Sequence, residues 1–402
     1  MINPDVIIIG AGASGMAAAV KAAERNKNIL VLEKNDRPGR KILASGNGRC
    51  NLMNEGHLRY YGDNGFVHTI MKKIPVGSLK TFFGTYGLLL ASEEQGRIYP
   101  VSFQSSSVVS VLKNAMDANN VKIRTGITVD SVSVKKGLFS VKDMDGNIWE
   151  SEKLIISCGS SACPKLGGTD SGYDILRSVG HSIVPVVPAL VPLTTDKKSI
   201  SGLSGIRARC RVYLYEDKTL LHSEEGEILF TDYGISGICV MQCARFTNGK
   251  RTHMDIDFMY GIFDNPDRLL AELKRRREIY GKRSPVCLLD GILADHIAYA
   301  VMKQAGIRLR GEKAGDLSDF ELKNVAQTAF CYKVSISGTR GMEYAQVAAG
   351  GADCSEFNPE TMESLIVPGL FATGEILNVD GDCGGFNLMF AFSTGLLAGI
   401  SV

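Results

Sequence analysis

The sequence predicts an α/β fold: a parallel sheet with a β-meander beside it, interrupted by an insert that is rich in β-strands and then helical. Three observations lead to this prediction. An apolar run, a glycine turn, an alanine-rich segment and a second apolar run open the chain, which is the order of a β-α-β unit. Between residues 122 and 157 the pattern changes to short alternating strands. After residue 185 longer alternating strands and then amphipathic segments follow.

Composition and charge describe a globular protein with a large core. The 402 residues are 45% hydrophobic, and a formal net charge of +2 gives no overall field that would attract nucleic acid or an anionic membrane. The ten cysteines contain no CxxC pair, which is typical of buried thiols in a reducing compartment. The six histidines show no metal-ligand spacing. We therefore expect a cytoplasmic protein without a metal site, a nucleic-acid partner or a membrane partner.

The first turn carries the fingerprint of a dinucleotide site. Gly10, Gly12 and Gly15 form GxGxxG between the first strand and the first helix. In such a turn the first glycine shapes the bend, the second lets a pyrophosphate touch the backbone, and the third lets the helix meet the strand. Glu33 ends the second strand, where a carboxylate can accept hydrogen bonds from both ribose hydroxyls. This carboxylate disfavours the alternative of a purely structural turn.

The fingerprint alone does not separate FAD from NAD. The stretch RPGRKILASGNGRCN, residues 37–51, follows the acidic residue where an NAD-dependent dehydrogenase would continue into its next helix and strand. Basic Arg40 and Lys41, together with the bare backbone at Gly46 and Gly48, suit a longer ligand that lies along the sheet edge. The stretch therefore favours a flavin dinucleotide.

A connector rich in proline, PVVPALVP, leads from residue 185 into the insert. The alternating stretches RARCRVYLYE and GEILFTD predict antiparallel strands, and helices are predicted to start at Asn265-Pro266 and at the capping box SDFE, 318–321. Short strands and a glycine-rich tail follow, and their pattern is similar to that of the first part of the chain. The predicted domains are an FAD-binding domain of residues 1–185 and 333–402, and an insert domain of residues 186–332.

The C-terminal stretch, residues 386–402, carries no charge and approaches the length of a membrane helix. Its many small and polar residues favour instead a helix inside the protein core. Before it, Gly384 and Gly385 are expected to let the backbone approach a flavin ring, and Asn387 is expected to cap the helix. The helix N-terminus would then direct its partial positive charge at the flavin.

Five stretches make a resemblance specific: RKILASGNGRCN, GRIYPVSFQSSSVV, GEILFTDYGISG, SGTRGMEYAQVAAGG and GLFATGEILNVDGDCGGFNLMFAFSTG. They span nearly the whole chain in the expected order, and by them the chain resembles the BaiN/YhiN family of bacterial flavoproteins. The resemblance implies an FAD-dependent oxidoreductase. It also implies a Rossmann FAD domain of the two-dinucleotide-binding type that is interrupted by an insert domain.

The resemblance implies that FAD is bordered by the first turn, the stretch after it, the meander and the tail. The implied residues are Gly10, Gly12, Ala13, Ser14, Gly15, Glu33, Lys34, Arg40, Lys41, Ser45, Gly46, Gly48, Arg49, Cys50, Asn51, Val129, Gly159, Gly374, Glu375, Asp380, Gly384, Gly385, Phe386, Asn387 and Leu388. The chain departs from the family at GSSACP, 159–164, which lacks the aromatic residue of a GGxSYP-like turn, and at Cys383, where relatives often have threonine. Because turns near a flavin shape its pocket, the resemblance leaves the substrate open.

Two further features have alternative interpretations. Cys158 and Cys163 have the spacing of redox-active pairs in flavin disulfide reductases, but they follow a late strand, so two packed thiols are favoured. Cys50 lies beside an arginine, and a small buried residue is likewise favoured over a reactive thiol. The basic run KRRR, 274–277, is interpreted as the solvated face of a helix rather than as an RNA contact.

These features predict an FAD-dependent oxidoreductase that acts on a small-molecule substrate by hydride transfer through flavin N5. The resemblance implies either reduction of an unsaturated, steroid-like substrate or oxidation of a small amine. No catalytic residue is named, because flavin chemistry needs little from side chains beyond orientation and charge. No second GxGxxG follows the meander, so NAD(P)H is expected at most as a transient electron donor. The alternatives are a tRNA-modifying flavoprotein and a flavin-binding regulator without turnover; the oligomeric state stays open.

Overall fold

The computed structural model describes residues 4–402, which form two compact units. The first unit contains the chain up to Pro188 and Ala345–Val402, and the second contains Ala189–Tyr344. The strands, in chain order, are β1 (Val6–Ile9), β2 (Ile29–Glu33), β3 (Met53–Asn54), β4 (Tyr60–Gly62), β5 (Leu90–Ser92), β6 (Arg97–Pro100), β7 (Lys122–Thr125), β8 (Val129–Lys135), β9 (Leu138–Asp143), β10 (Ile148–Ser151), β11 (Lys153–Ile156), β12 (Ile183–Ala189), β13 (Leu193–Thr195), β14 (Arg207–Glu216), β15 (Thr219–Phe230), β16 (Gly234–Ser236), β17 (Thr252–Asp257), β18 (Tyr332–Thr339), β19 (Val347–Ala352), β20 (Leu370–Ala372) and β21 (Val379–Gly381). The α-helices are α1 (Ala13–Ala23), α2 (Arg40–Ala44), α3 (Asn64–Lys73), α4 (Val76–Thr85), α5 (Ser105–Ala118), α6 (Ser171–Ser178), α7 (Ile238–Cys243), α8 (Pro266–Tyr280), α9 (Asp295–Gln304), α10 (Asp319–Phe330) and α11 (Phe386–Ser401).

The core of the first unit is a five-stranded sheet in the order β20-β11-β1-β2-β7, with every pair parallel. Strands β1, β2 and β20 are buried along their whole length, as expected for a parallel sheet that is covered on both faces. Helix α1 connects β1 to β2, and an antiparallel meander of β8, β9 and β10 accompanies the sheet. This architecture confirms the predicted fold class.

The meander is shorter than the sequence indicated. Strand β7 pairs in parallel with β2 and forms the edge of the sheet, so the antiparallel part begins only at Val129. The prediction for residues 122–125 was therefore wrong. An edge strand of a parallel sheet and a meander strand can both have one exposed side, and alternation of polar and apolar residues does not separate the two.

The C-terminal helix α11 is a core helix that packs against α1. A Cβ atom at Gly395 would overlap the backbone oxygen of Ser14, and a Cβ atom at Gly399 would lie 2.6 Å from the backbone oxygen of Ala18. Residues four positions apart share one face of a helix, so these two glycines let the helix backbones approach closely along one line. Over residues 4–402, no helix is both long and apolar enough to cross a membrane.

The second unit is built on six antiparallel strands that close into a barrel in the order β13-β16-β15-β14-β17-β18. Alternate residues of β14, Cys210, Val212 and Leu214, are fully buried, which is the two-residue period of a strand with one face on a core. Strand β18 lies where the sequence analysis expected the return to the first domain. It pairs with β13 and β17, so it belongs to the second unit.

The helices of the second unit begin where the sequence indicated. The Asn265 side chain accepts a hydrogen bond from the backbone N–H of Arg268, 3.0 Å away, and Pro266 occupies the first turn of α8. At the start of α10, Ser318 and Glu321 form a reciprocal capping box. These local signals are readable from the sequence because a cap depends only on residues within one turn.

Each cation of the basic run on α8 has an acidic partner within the second unit. Lys274 forms a 2.6 Å ion pair with Asp319, which also contacts Arg277. The two arginines between them both contact Glu272. This arrangement agrees with a solvated helix face, and the absence of an RNA contact stays a prediction.

We predict that Gly395→Ala lowers the free energy of unfolding, because the added Cβ would overlap the Ser14 backbone and push α11 away from α1. Overpacking of this kind costs about 1–3 kcal/mol. Gly84→Ala on α4 is the matched control: among residues 4–402 no atom outside its own helix turn lies within 4 Å of the new Cβ, so we expect a gain of about 0.4–1 kcal/mol. Urea unfolding measures both effects, and equal stabilities would contradict the close helix contact.

Candidate functional site

The residues predicted to bind a dinucleotide lie along one edge of the parallel sheet. Neighbouring parallel strands run in the same direction, so the carboxyl ends of β20, β11, β1 and β2 meet at one edge. Gly374 follows β20, Gly159 follows β11, Gly10 follows β1, and Glu33 ends β2. The sheet therefore gathers residues from both ends of the chain.

The three glycines of the fingerprint have different surroundings. At Gly15 a Cβ atom would overlap the backbone oxygen of Gly10, and at Gly10, where φ is +104°, it would overlap that of Ser157. These two glycines are required by contacts within the protein. At Gly12, by contrast, no other atom of residues 4–402 lies within 4 Å of the Cβ position, and φ is an unstrained −82°. The space in front of Gly12 is open to a ligand.

The N-terminus of α1 faces this space with its backbone donors uncapped. Gly12 is the N-cap residue, and in the described part of the chain no side chain bonds to the first turn of the helix. That turn also contains no acidic residue. Ser14 is buried, and its hydroxyl donates to the backbone oxygen of Thr373, 3.4 Å away. Free N–H groups and the partial positive charge of a helix N-terminus suit a phosphate.

Glu33, the last residue of β2, lies at the same edge of the sheet. Its buried carboxylate accepts hydrogen bonds from the backbone N–H of Ala11 (2.7 Å) and from the backbone N–H (2.8 Å) and side-chain amide (2.5 Å) of Asn35. The carboxylate therefore joins the glycine turn to the segment after β2. Asn35 occupies both lone pairs of one carboxylate oxygen and Ala11 occupies one lone pair of the other, so one lone pair remains to accept a hydrogen bond from a hydroxyl.

The stretch after β2 brings two cations to the edge. Arg40 donates to the side-chain oxygen of Asn35 (3.1 Å) and to the backbone oxygen of Lys165 (3.0 Å). Lys41 forms a 2.6 Å ion pair with Glu375, which follows β20. The stretch thus spans the sheet edge from β2 to β20, and both cations are held by protein partners.

Glu375 is the centre of a polar network that the sequence did not reveal. Besides Lys41, its carboxylate accepts hydrogen bonds from the hydroxyl of Ser160 (2.8 Å) and the backbone N–H of Ala348 (3.0 Å). The network ties α2, the loop after β11, β19 and the turn after β20 together. Ser160 lies in the GSSACP turn, where the sequence signal pointed to the cysteines, and Ala348 contributes only its backbone, which leaves no side-chain pattern to detect.

The stretch SGNGRC owes its glycines to its own conformation. Gly46, Asn47 and Gly48 all have positive φ values, and Cys50 follows with φ of +57°. Consecutive residues in this region are favoured only by glycine and, to a lesser extent, by asparagine. The left-handed turn therefore explains the glycines. It is a second reason for them, besides the close approach of a ligand that the sequence predicts.

The glycines of the tail also meet protein atoms. The side-chain amide of Asn54 donates to the backbone oxygen of Gly384, 2.8 Å away. Gly385 has φ of +101°, and a Cβ atom there would lie 2.5 Å from the backbone oxygen of Met53. A substitution at Gly385 would therefore disturb the protein itself, whether or not a ligand is bound.

The prediction that Asn387 caps α11 was wrong. The N-cap residue is Gly385, and the Asn387 side chain points back to the preceding loop. There it accepts a hydrogen bond from the N–H of Gly381 (2.8 Å) and donates to the oxygen of the same residue (2.7 Å). The asparagine thus fixes the loop before the helix rather than the first turn of the helix.

Several other predicted residues use their side chains within the protein. Phe386 packs edge-on against Tyr60, with ring centroids 5.7 Å apart. The Ser45 hydroxyl donates to the backbone oxygen of Ile42, and Asp380 is buried on β21. Of the predicted residues not yet described, Lys34, Asn51 and Leu388 are partly exposed and Arg49 is exposed.

Two buried side-chain oxygens at the edge lack hydrogen-bond partners among residues 4–402, those of Asn51 and Thr373. A buried acceptor without a donor costs about 1–3 kcal/mol, so such groups need an explanation. The Asn51 oxygen lies beside Gly385, and Thr373 follows β20. On the far side of the edge, the N–H of Ile127 bonds to the backbone oxygen of Glu33, which places Val129 near the second strand.

All ten cysteines are free thiols. Burial raises the pKa of the Cys50 thiol to about 12, and it raises the pKa of Cys158 to about 12 as well. Neither side chain is a thiolate near neutral pH, so the packed-thiol interpretation is supported over a reactive one.

We predict that Cys50 and Cys158 resist iodoacetamide in the folded protein at about pH 8, because the thiolate is the reacting form and their raised pKa values suppress it. In urea, where burial is lost, both should react at the ordinary rate. Peptide mass mapping after timed labelling measures this. Rapid modification of Cys50 in the folded protein would contradict its placement.

The chain is similar to known proteins over nearly its whole length. The chain matches the family model described as HI0933-like protein Rossmann domain over residues 4–401. It is 34% identical to 3-dehydro-bile acid delta(4,6)-reductase from Clostridium scindens, over 98% of this chain and 97% of that protein. It is 28% identical to ribosomal RNA dihydrouridine synthase from Escherichia coli, over 97% and 96% of the two chains.

Among solved structures, the open conformation of a flavocytochrome c3 fumarate reductase superposes with a TM-score of 0.49 and 13% identity, over 99% of this chain and 78% of that one. The family match covers nearly every described residue and confirms the resemblance seen in the sequence. The chain belongs to the HI0933-like Rossmann-domain family.

Proposed function

We propose that this protein is an FAD-dependent oxidoreductase that reduces a carbon–carbon double bond conjugated to a carbonyl group in a small molecule. The observation that carries the proposal is the 34% identity, over 98% of the chain, to a relative named as a reductase of a 3-dehydro bile acid at its delta(4,6) positions. Of the two reactions implied by the sequence resemblance, this relative favours reduction over amine oxidation.

The sheet edge fits the adenosine diphosphate half of FAD. The open space at Gly12 and the uncapped N-terminus of α1 suit the pyrophosphate, and the Glu33 carboxylate can accept a hydrogen bond from a ribose hydroxyl. Arg40 and Lys41 add positive charge beside the same edge.

The chain's own contribution is to bind, orient and shield the reactants. When bound in its reduced form, FAD would supply the hydride for the β-carbon of the conjugated double bond, and the α-carbon would take a proton. The Glu375 network fixes the relative positions of four segments at the edge, so the cofactor would meet a preorganised surface. NAD(P)H is the proposed electron donor that returns FAD to its reduced form.

A second candidate is reduction of uridine in RNA. Two relatives, each 28% identical over most of the chain, are named ribosomal RNA dihydrouridine synthase. The uracil double bond is also conjugated to a carbonyl, so both candidates share one bond chemistry. The pairing of KRRR with Asp319 and Glu272 weighs against RNA, because it offsets part of the charge of the densest positive run.

The test of the proposed function is anaerobic reoxidation of the reduced protein. We expect a conjugated steroid ketone to restore the flavin absorbance in step with loss of the double bond, and a saturated ketone to leave the flavin reduced. A uridine-containing ribosomal RNA fragment is the third arm. Reoxidation by the RNA alone would replace the first candidate by the second, and reoxidation by none of them would contradict both.

We predict that the purified protein is yellow and releases FAD rather than FMN on denaturation. Glu33 and the N-terminus of α1 are suited to bind an adenosine diphosphate group, which FMN lacks. Chromatography of the released flavin distinguishes the two. A colourless protein that cannot be reconstituted with FAD would show that the protein does not bind this cofactor, and would contradict the proposed function.

We also predict that Gly12→Val abolishes FAD retention while the fold persists. The Cβ atom of the new side chain points into open space within residues 4–402, so we expect its clash to be with a ligand rather than with the protein. Gly77→Val on α4 is the matched control, because within residues 4–402 no contact limits its Cβ either and the position is exposed. Circular dichroism checks the fold, and flavin content per protein checks retention. Normal FAD content in Gly12→Val would show that the pyrophosphate lies elsewhere.

A further inference from the structure

A half-buried arginine of the first unit has no partner for its charge. Arg97 is the first residue of β6, and among residues 4–402 its guanidinium forms neither an ion pair nor a hydrogen bond. Its Nε atom lies 3.7 Å from the Cβ position of Gly384, in the loop before α11. A cation that is partly removed from water without a counter-charge costs free energy, so its position needs an explanation.

The face of β6 that carries Arg97 lies between two glycine-rich stretches. Arg97 and Tyr99 are half-buried whereas Ile98 and Pro100 are buried, which is the two-residue period of a strand. The Cε1 atom of Tyr99 lies 3.9 Å from the Cβ position of Gly46. One face of β6 is therefore close to the loop before α11 and to the stretch SGNGRC, both of which the sequence predicts to border FAD.

The position of this face relative to the sheet edge follows from two helices of the same unit. Gly395 lies against the backbone of Ser14 and Gly399 against that of Ala18, so α11 runs in the same direction as α1. Because α11 begins at Phe386, nine residues before Gly395, its N-terminus extends about 14 Å past the first turn of α1. The ribityl chain and ring of FAD cover a distance of this order. A pyrophosphate at α1 would thus bring the flavin ring to the N-terminus of α11.

The charge at this helix end is positive. The N-cap residue of α11 is Gly385, and in the described part of the chain no side chain caps the first turn, which also lacks an acidic residue. The carboxylate of the preceding loop, Asp382, has a cation of its own in Arg59, 3.4 Å away. Burial raises the pKa of the Cys383 thiol more than the nearby Arg97 lowers it, so the thiol is neutral near neutral pH. The charge of Arg97 therefore adds to that of the helix end.

We propose that Arg97, beside the N-terminus of α11, binds the edge of the flavin ring that becomes negative on reduction, formed by N1 and the oxygen on C2. The inference rests on the FAD binding proposed above and adds the residue that stabilises the reduced cofactor. The coplanar N–H donors of a guanidinium match two neighbouring acceptors in one plane. A cation at this edge favours the reduced flavin over the oxidised one, so Arg97 raises the reduction potential of the bound flavin.

The experiment uses the FAD-loaded full chain, equilibrated anaerobically with a redox dye of known potential. Absorbance gives the ratio of reduced to oxidised flavin at a fixed state of the dye. Arg97→Met should lower this ratio roughly 10- to 100-fold, the effect of losing a charge-assisted hydrogen bond. Arg97→Lys should lower it less, because it keeps the charge but loses the planar donors. Arg25→Gln, an exposed arginine just after α1, is the control and should keep the wild-type ratio.

A second measurement distinguishes stabilisation of the reduced flavin from a purely structural role. Reconstitution of the apoprotein gives the Kd of oxidised FAD, and we expect Arg97→Met to change it little because the oxidised ring is uncharged. An arginine that held the pyrophosphate, or that only supported the loop, would affect oxidised and reduced FAD alike. An unchanged ratio would therefore overturn the inference. Complete loss of FAD from an Arg97→Met protein that is folded by circular dichroism would also overturn it.

The dye equilibrium needs no substrate, so it separates this inference from the proposed reaction. If neither a conjugated ketone nor RNA reoxidises the flavin but the ratio depends on Arg97, the proposed reaction fails and the inference stands. If the ketone is reduced but Arg97→Met keeps the wild-type ratio, the reaction stands and the inference fails. A protein that cannot be loaded with FAD contradicts both.

Discussion

The arrangement of the first unit depends on how closely α1 approaches its neighbours. At its N-terminal turn, Gly15 lies against the backbone of Gly10, and on its outer side Gly395 of α11 lies against Ser14. Each contact leaves no room for a Cβ atom, and protein interiors transmit such constraints because they are close-packed. The position of α1 in turn determines where its uncapped N-terminus points. Gly12, the one fingerprint glycine without such a contact, marks that direction as open.

Two carboxylates, those of Glu33 and Glu375, are held at the sheet edge that contains the N-terminus of α1. The Glu33 carboxylate bonds to the N–H of Ala11, one residue before the N-cap, so the acidic group and the helix N-terminus have a fixed separation. On the other side, Lys41 and Ser160 hold Glu375 at the turn after β20. A phosphate near the N-terminus of α1 would meet backbone N–H groups that are already in position. A hydroxyl near Glu33 would meet a carboxylate that is already in position. Preorganised polar groups of this kind raise affinity because little ordering remains to be done on binding.

The sequence predicted what depends on local pattern and missed what depends on distant backbone. The β1-α1-β2 unit and the caps at Asn265 and Ser318 follow from residues within one or two turns. The edge position of β7 was missed because strand pairing is decided by tertiary contacts, and Asn387 was assigned to the wrong partner because its loop folds back in space. The contact of Glu375 with the Ala348 backbone had no sequence signal at all.

The most direct test of this account is an experimental structure of the protein purified with its flavin. The account predicts a pyrophosphate against Gly12, within hydrogen-bond distance of the first N–H groups of α1, and a ribose with a hydroxyl that contacts the Glu33 carboxylate. A flavin bound away from this sheet edge, with only water in front of Gly12, would contradict the account.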